Sequence, residues 1–245
     1  MTELTYMKDF DIESCTAAID SIVDVENSRI DIKLNQTCFY PRGGGQDWDM
    51  GTIQKGDAVF NVEEVHLDEN GVVHHVGSFR SGVLKAGDLV DCVVAHDRRV
   101  INTRLHSAGH VIDMAIDSLG LDWMATKGQH YPHLSAVEYS GTWQPEQAEA
   151  LKDSIEQKAN ELINKDNENS IEFMPVEEMH RVCRHVPANI PKNKPGRVVM
   201  YGDNFGIPCG GTHVKNLSQI GTVKIPKLKE KKSVIRVSYT VEGIN

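Results

Sequence analysis

DRRVINTRLHSAGHVIDMAIDSLG, residues 97–120, is where the chain changes character. Ile101, Leu105, Ala108, Ile112, Ala115 and Leu119 recur every three or four positions, the period of a helix with one apolar face. Asp97 suits the N-cap, and Gly120 suits a left-handed residue closing the last turn. Upstream, short β-branched runs at 28–34, 59–67, 72–76 and 89–95 are separated by turn signals such as PRGGGQ at 41–46. This pattern predicts a small β-barrel or sandwich. Downstream, 125–139 reads as a strand hairpin. A second helix is expected from Pro145 to about residue 165, with Ala148, Leu151, Ile155 and Leu162 turned inward. A short helical piece at 176–182, an exposed proline-rich loop at 187–196, and strands at 198–201, 221–225 and 234–241 complete the pattern. The predicted fold class is α+β: a β-barrel-like N-terminal domain over 1–96, then an α+β domain over 97–245.

Five cysteines (Cys15, Cys38, Cys92, Cys183, Cys209) are an odd, widely spaced set, which argues against a disulfide framework. No apolar run approaches the roughly 20 residues that span a bilayer, and the first residues carry acids rather than the bases of a signal peptide. A cytoplasmic protein without a membrane partner is the expectation, and nothing in the sequence calls for an obligate protein partner. The net charge of -9 is unevenly spread. Residues 1–96 hold 7 bases against 17 acids, whereas 192–245 hold 10 bases against 3 acids. Such segregation points to a localised surface for a polyanion, although a solvated lysine-rich hairpin has the same composition.

His106 and His110 lie four apart on the helix, so both imidazoles leave one face and can reach a single ion. With 11 histidines in 245 residues that spacing also arises by chance, and two surface histidines look the same. Cys209-Gly-Gly-Thr-His213 adds a thiolate and another imidazole, with glycines that permit a tight backbone path. Cys92 and His96 repeat that Cys-to-His spacing, but Cys92 sits in a β-branched run that makes it a core thiol.

Arg104-Leu-His106-Ser-Ala-Gly-His110 and Cys209-Gly-Gly-Thr-His213-Val, followed by Ile220-Gly-Thr-Val-Lys-Ile225, resemble the two halves of the editing-domain signature of alanyl-tRNA synthetases and their free-standing AlaX relatives. Phe39-Tyr-Pro-Arg-Gly43-Gly-Gly-Gln46, with Asp49-Met-Gly51, resembles the glycine-rich motif ahead of that domain, and Val234-Ile-Arg236-Val its closing strand. The sequence departs from the pattern twice. Asp47-Trp48 stands where small residues are usual, which bears on what the glycine loop excludes, and Gly109 replaces the usual residue before the second histidine.

The resemblance implies a medium-length, free-standing enzyme acting in trans, which hydrolyses the ester joining serine or glycine to alanine tRNA. It implies one zinc ion per chain, held by His106, His110, Cys209 and His213. An open coordination position is needed for catalysis, and His213 is expected to be the ligand that yields. It also implies substrate contacts from Gly43, Gly44, Gly45 and Gln46, and from Thr126, which occupies the family's polar specificity position before Lys127-Gly128. No general base is evident. tRNA is expected on Lys224, Lys227, Lys229, Lys231 and Lys232, with Arg98, Arg99 and Arg104 as the next surface. Alternative readings are an editing domain for another aminoacyl-tRNA, such as that of threonyl-tRNA synthetases, a non-catalytic zinc-stabilised tRNA-binding module, or a metal hydrolase of a small substrate.

Overall fold

The computed structural model describes residues 1–245 except Trp143, Asn189, Asp203, Asn204 and Asn245, with only the backbone described at Asn27. The chain divides into two compact units, Met1–Gly43 with Asp47–Val100, and Gly44–Gln46 with Ile101–Asn245. Among the described residues no helix is long and apolar enough to cross a membrane.

In the first unit, β1 (Glu3–Leu4) pairs in parallel with β4 (Gln36–Thr37). Six strands, β2 (Ser14–Val25), β3 (Arg29–Leu34), β5 (Gly51–Lys55), β6 (Ala58–Leu67), β7 (Val73–Ser81) and β8 (Leu89–Val94), close into a barrel in the order β2-β3-β7-β6-β5-β8. Every neighbouring pair is antiparallel, and closure leaves no open edge. Ile32, Leu34, Phe39, Ile53, Phe60, Val65 and Cys92 fill its core, so Cys92 is the packed thiol its flanking residues predict.

Two strands of the barrel, β2 and β5, lie outside the β-branched runs of the sequence. In β2 the register shifts between Ile19 and Ser21, so the inward phase of Ala17 and Ile19 passes to Ile22 and strict alternation is lost. The five residues of β5 contribute only Ile53 to the core. Trp48 is also part of this unit: its indole N–H donates to the Glu63 carbonyl, and the guanidinium groups of Arg42 and Arg98 lie over its ring.

The helix α1 (His96–Ser118), part of the second unit from Ile101 onward, begins one residue before Asp97, which therefore sits in the first turn rather than at the cap. Its middle is buried on more than one face: Leu105, Ala108, Val111, Ile112, Ala115 and Ile116 are joined by Asn102, His106, Ser107 and His110. Four antiparallel strands, β9 (Trp123–Gln129), β10 (Ala136–Gly141), β14 (Val223–Lys231) and β15 (Val234–Val241), form a sheet in the order β14-β15-β10-β9.

After a 3-10 turn at Pro145–Gln147, α2 (Ala148–Asn164) turns Ile155, Ala159 and Ile163 inward, with Leu151 and Leu162 only half-buried. It docks on β14 through Asn160, which donates to the Val223 carbonyl and accepts that residue's N–H. A smaller sheet, β11 (Asn169–Met174), β12 (Gly196–Tyr201) and β13 (Gly206–Pro208), covers Val176, Met179 and Cys183. β11 was not foreseen, because as an edge strand it buries little and shows no apolar alternation. Within 187–196 the described residues run through turns, with Ile190 packed onto this cluster; Asn189 lies outside the described residues.

Candidate metal centre

α1 sets His106 and His110 one turn apart, with ring centroids separated by 5.1 Å. Cys209 and His213 arrive from the segment that follows β13. One ligand atom from each of these four residues lies within 4.8 Å of all the others. Cys209 Sγ is 3.5 Å from His106 Nε2 and 3.3 Å from His213 Nε2. Donors about 2.0–2.3 Å from a tetrahedral zinc stand roughly 3.3–3.8 Å apart, so these two separations match that ion. Only one of the two glycines between Cys209 and His213 is demanded by packing. A Cβ on Gly211 would come within 2.2 Å of His106 Cε1, whereas one on Gly210 would meet nothing within 4 Å.

Each imidazole is turned toward the centre by a partner on its other nitrogen. His106 Nδ1 donates to Gln46 Oε1 at 2.7 Å, and the amide orientation is set because the Thr212 N–H also donates to that oxygen. His110 Nδ1 is 2.8 Å from the Tyr201 hydroxyl, and His213 Nδ1 is 3.3 Å from the same hydroxyl and 3.4 Å from Ser107 Oγ. This is the outer ring of hydrogen bonds that orients metal-binding histidines.

Burial first, and repulsion from neighbouring imidazoles and Arg197 second, hold His106, His110 and His213 well below the ordinary histidine range, so all three are neutral donors. Burial raises the Cys209 thiol, against which the Gly211 N–H, 3.3 Å from the sulfur, and Arg197 favour the thiolate. Arg197 also fixes the loop by donating to the carbonyls of Cys209 and Gly211. His213, expected to yield, is the most enclosed of the three histidines: 1% exposed, against 2% for His106 and 8% for His110.

A cavity of about 620 Å³ opens on His106, His110 and Cys209. Gly44, Gly45 and Thr126 line it as well, together with Asp113, Lys127 and His130, none of which the sequence singled out as site residues. Two expected substrate contacts lie elsewhere. Gln46 has no exposed surface and serves His106 instead, while Gly43 accepts a hydrogen bond from the Tyr40 hydroxyl in the first unit and is not part of the cavity wall. Thr126 is the extra residue of a β-bulge, since Glu138 pairs with Lys127 and Tyr139 with Ala125, and its hydroxyl donates to the Glu138 carbonyl at 3.1 Å. Gly45 presses on β9: with φ at +77°, a Cβ there would stand 2.2 Å from the Gly128 oxygen. Burial raises the carboxyl of Asp113, one turn beyond His110, to about 6, with Arg184 opposing. Burial also lowers His130 to about 4.

On β14, a register shift between Lys224 and Lys227 keeps Lys224 on the same exposed face as Lys227, Lys229 and Lys231. Lys232 and Ser233 both have positive φ and form the hairpin loop. Lys229 pairs with Arg236 on β15, Arg236 with Glu138 on β10, and Glu138 with Lys127 on β9, at the cavity. Lys224 is partly neutralised by Glu156 at 3.0 Å. Of the three arginines, only Arg99 is buried. Arg99 is buried on Asp49 and on the Ile12 and Cys38 carbonyls, Arg98 donates to the Trp48 carbonyl, and Arg104 donates to those of Ile220 and Glu242.

Family models match the chain twice: tRNA synthetases class II (A) over residues 9–98, and the threonyl and alanyl tRNA synthetase second additional domain over residues 197–237. The chain is 32% identical, over 99% of its length, to alanyl-tRNA editing protein AlaX-M of Saccharolobus solfataricus, and covers 100% of that protein. It is 30% identical, over 98% of its length, to alanyl-tRNA editing protein AlaX-L of Pyrococcus horikoshii, of which it spans 58%. Over 79% of its length it is 34% identical to alanine--tRNA ligase of Methanothrix thermoacetophila, covering 21% of that chain.

Proposed function

The chain belongs to the AlaX family of alanyl-tRNA editing proteins, and from that premise we propose that it hydrolyses wrongly charged alanine tRNA in trans, releasing serine and also glycine. The observation that carries the reading is the convergence of His106, His110, Cys209 and His213, the first three of them on the wall of a cavity, with each imidazole turned by a partner. These four residues would hold one zinc ion. When bound, zinc polarises an ester carbonyl or lowers the pKa of a coordinated water.

In the reaction, water adds to the ester carbonyl and the bond to the ribose oxygen of the terminal adenosine breaks. A free amino acid and a tRNA with a free hydroxyl are left. Gly44 and Gly45 would bound the space for the ester, and the lysines of β14 would carry the phosphate backbone toward Lys127. We assign the barrel of 1–96 and the editing domain of 97–245 as the two functional parts.

Such a second sieve is needed because an aminoacylation pocket sized for alanine cannot exclude glycine sterically, and rejects an added hydroxyl only about 100-fold. The test uses purified protein with seryl-, glycyl- and alanyl-tRNA specific for alanine, with and without a chelator. Serine should be released much faster than alanine, and the chelator should stop it. The matched threonyl and alanyl model keeps a second reading open, an editing enzyme for another aminoacyl-tRNA. Deacylation of seryl-tRNA specific for threonine, but not of that specific for alanine, would decide for it.

A further inference from the structure

His130 stands beside the metal ligands without belonging to them. Its ring is stacked on that of His106, with centroids 4.4 Å apart and planes inclined by 18°, and it forms part of the cavity wall. Two glycines make the space. A Cβ on Gly109 would lie 2.4 Å from His130 Cε1, and one on Gly128 would lie 2.4 Å from His130 Nε2. The glycine loop holds the residue as well, because the His130 N–H donates to the Gly45 carbonyl at 2.8 Å. Gly109, the departure from the usual pattern before the second histidine, therefore has a physical reason in this chain.

The tautomer of His130 follows from its neighbours. The Tyr239 hydroxyl oxygen is 2.8 Å from the Leu105 carbonyl oxygen, and only the hydroxyl carries a proton, so that proton lies between them. His130 Nδ1 is 2.6 Å from the same hydroxyl and must donate its own N–H to it. Nε2 is then a bare acceptor, and it makes no hydrogen bond among the described residues. An acceptor in a buried wall favours a ligand that brings a donor. A methyl group placed against it leaves the nitrogen dry and unpaired, whereas the space left by glycine admits a water that can pair with it.

We infer that His130 Nε2 accepts the side-chain hydroxyl of the seryl ester and so selects serine against alanine, with Tyr239 as the positioning residue that sets the tautomer. This rests on the deacylase reading above. The Thr126 hydroxyl, its proton given to the Glu138 carbonyl, is a second acceptor on the same cavity wall.

The experiment measures kcat/KM of the zinc-loaded full chain on seryl-, glycyl- and alanyl-tRNA. His130→Leu should lower both the serine-to-alanine and the serine-to-glycine ratio about ten-fold or more, the loss of one well-placed hydrogen bond. His130→Gln, which returns an acceptor near the position of Nε2, should restore most of both ratios. Tyr239→Phe frees the tautomer and should lower both ratios too. The 15N shift of Nε2 should be that of an unprotonated ring nitrogen in the parent and should move in Tyr239→Phe. Equal losses on serine and glycine in both His130→Leu and Tyr239→Phe, with zinc content unchanged, would overturn the inference and give His130 a role common to all substrates. If the parent hydrolyses none of the three tRNAs, the deacylase reading itself fails and takes the inference with it. If the parent prefers serine and His130→Leu keeps that preference, only the inference fails.

Discussion

Gln46 Oε1 lies 2.7 Å from His106 Nδ1, so a side chain from the glycine-rich loop directs a helical imidazole 60 residues later in the sequence. The loop that resembles a substrate-contacting element thus reaches the donor set itself. Its amide also donates to Thr212 Oγ1 at 2.9 Å, and Thr212 immediately precedes His213. One buried amide therefore ties the two halves of the donor set together, and the rigidity of the site depends on it.

Replacing Gln46 by Leu removes the acceptor that keeps the proton on Nδ1 and so releases His106. Zinc affinity should fall about 10- to 100-fold in a competitive chelator titration. His106→Ala and Cys209→Ala should lose most of the bound zinc, and Cys92→Ala, whose thiol is in the barrel core, should keep about one ion per chain. An unchanged affinity in Gln46→Leu would show that His106 needs no second partner.

Gly45 and Gly210 make opposite predictions although both lie in glycine-rich motifs. A methyl on Gly45 meets the Gly128 oxygen at 2.2 Å in a left-handed backbone, so Gly45→Ala must displace the loop that carries Gln46. Deacylation should fall at least ten-fold, with a loss of thermal stability of roughly 1–3 kcal/mol. Gly210→Ala meets nothing within 4 Å and should change both by little. Unimpaired activity in Gly45→Ala would mean that the loop does not shape the site.

Lys227, Lys229 and Lys231 share one exposed face of an edge strand. If that face binds phosphates, each lysine contributes roughly 0.7 to 0.9 to the slope of log affinity against log salt. Replacing all three by Ala should weaken tRNA binding and flatten the slope by about 2 to 3, with zinc content unchanged. The same lysines also discourage strand pairing at an open edge. Unaltered tRNA affinity across a salt series would leave them only that second role.

Asp113 carries a stability signature. Its carboxyl is raised by burial from 3.8 to about 6, so between these pH values the folded chain binds the proton that the unfolded chain has released. Stability from this group is therefore fully present below pH 3.8, falls as the pH rises, and is lost above about 6, by about 3 kcal/mol in all. Asp113→Asn should raise Tm at pH 7.5 and flatten the decline of stability from pH 4 to 6. An unchanged Tm at pH 7.5 would show that Asp113 ionises without cost.

The long helix was legible because its signal is local, a 3.6-residue period, and the His106–His110 pair with the Cys209–His213 segment carried the resemblance to the editing-protein family. The barrel could be read from β-branched runs and turns, but β2 could not, since its bulge at Ile19 and Ser21 shifts the phase on which such a reading depends. Spacing alone left Cys92 and Cys209 as rivals, and their surroundings separated them: one thiol packs in the barrel core, while the other faces two imidazoles. Tertiary structure alone joined Gln46 to His106, took Arg99 away from any nucleic-acid surface by burying it on Asp49, and set His130 against His106 in space left by Gly109 and Gly128. These are contacts between residues distant in sequence. Their energy is a matter of distance and desolvation after the chain has closed on itself, and no periodicity along the chain carries that information.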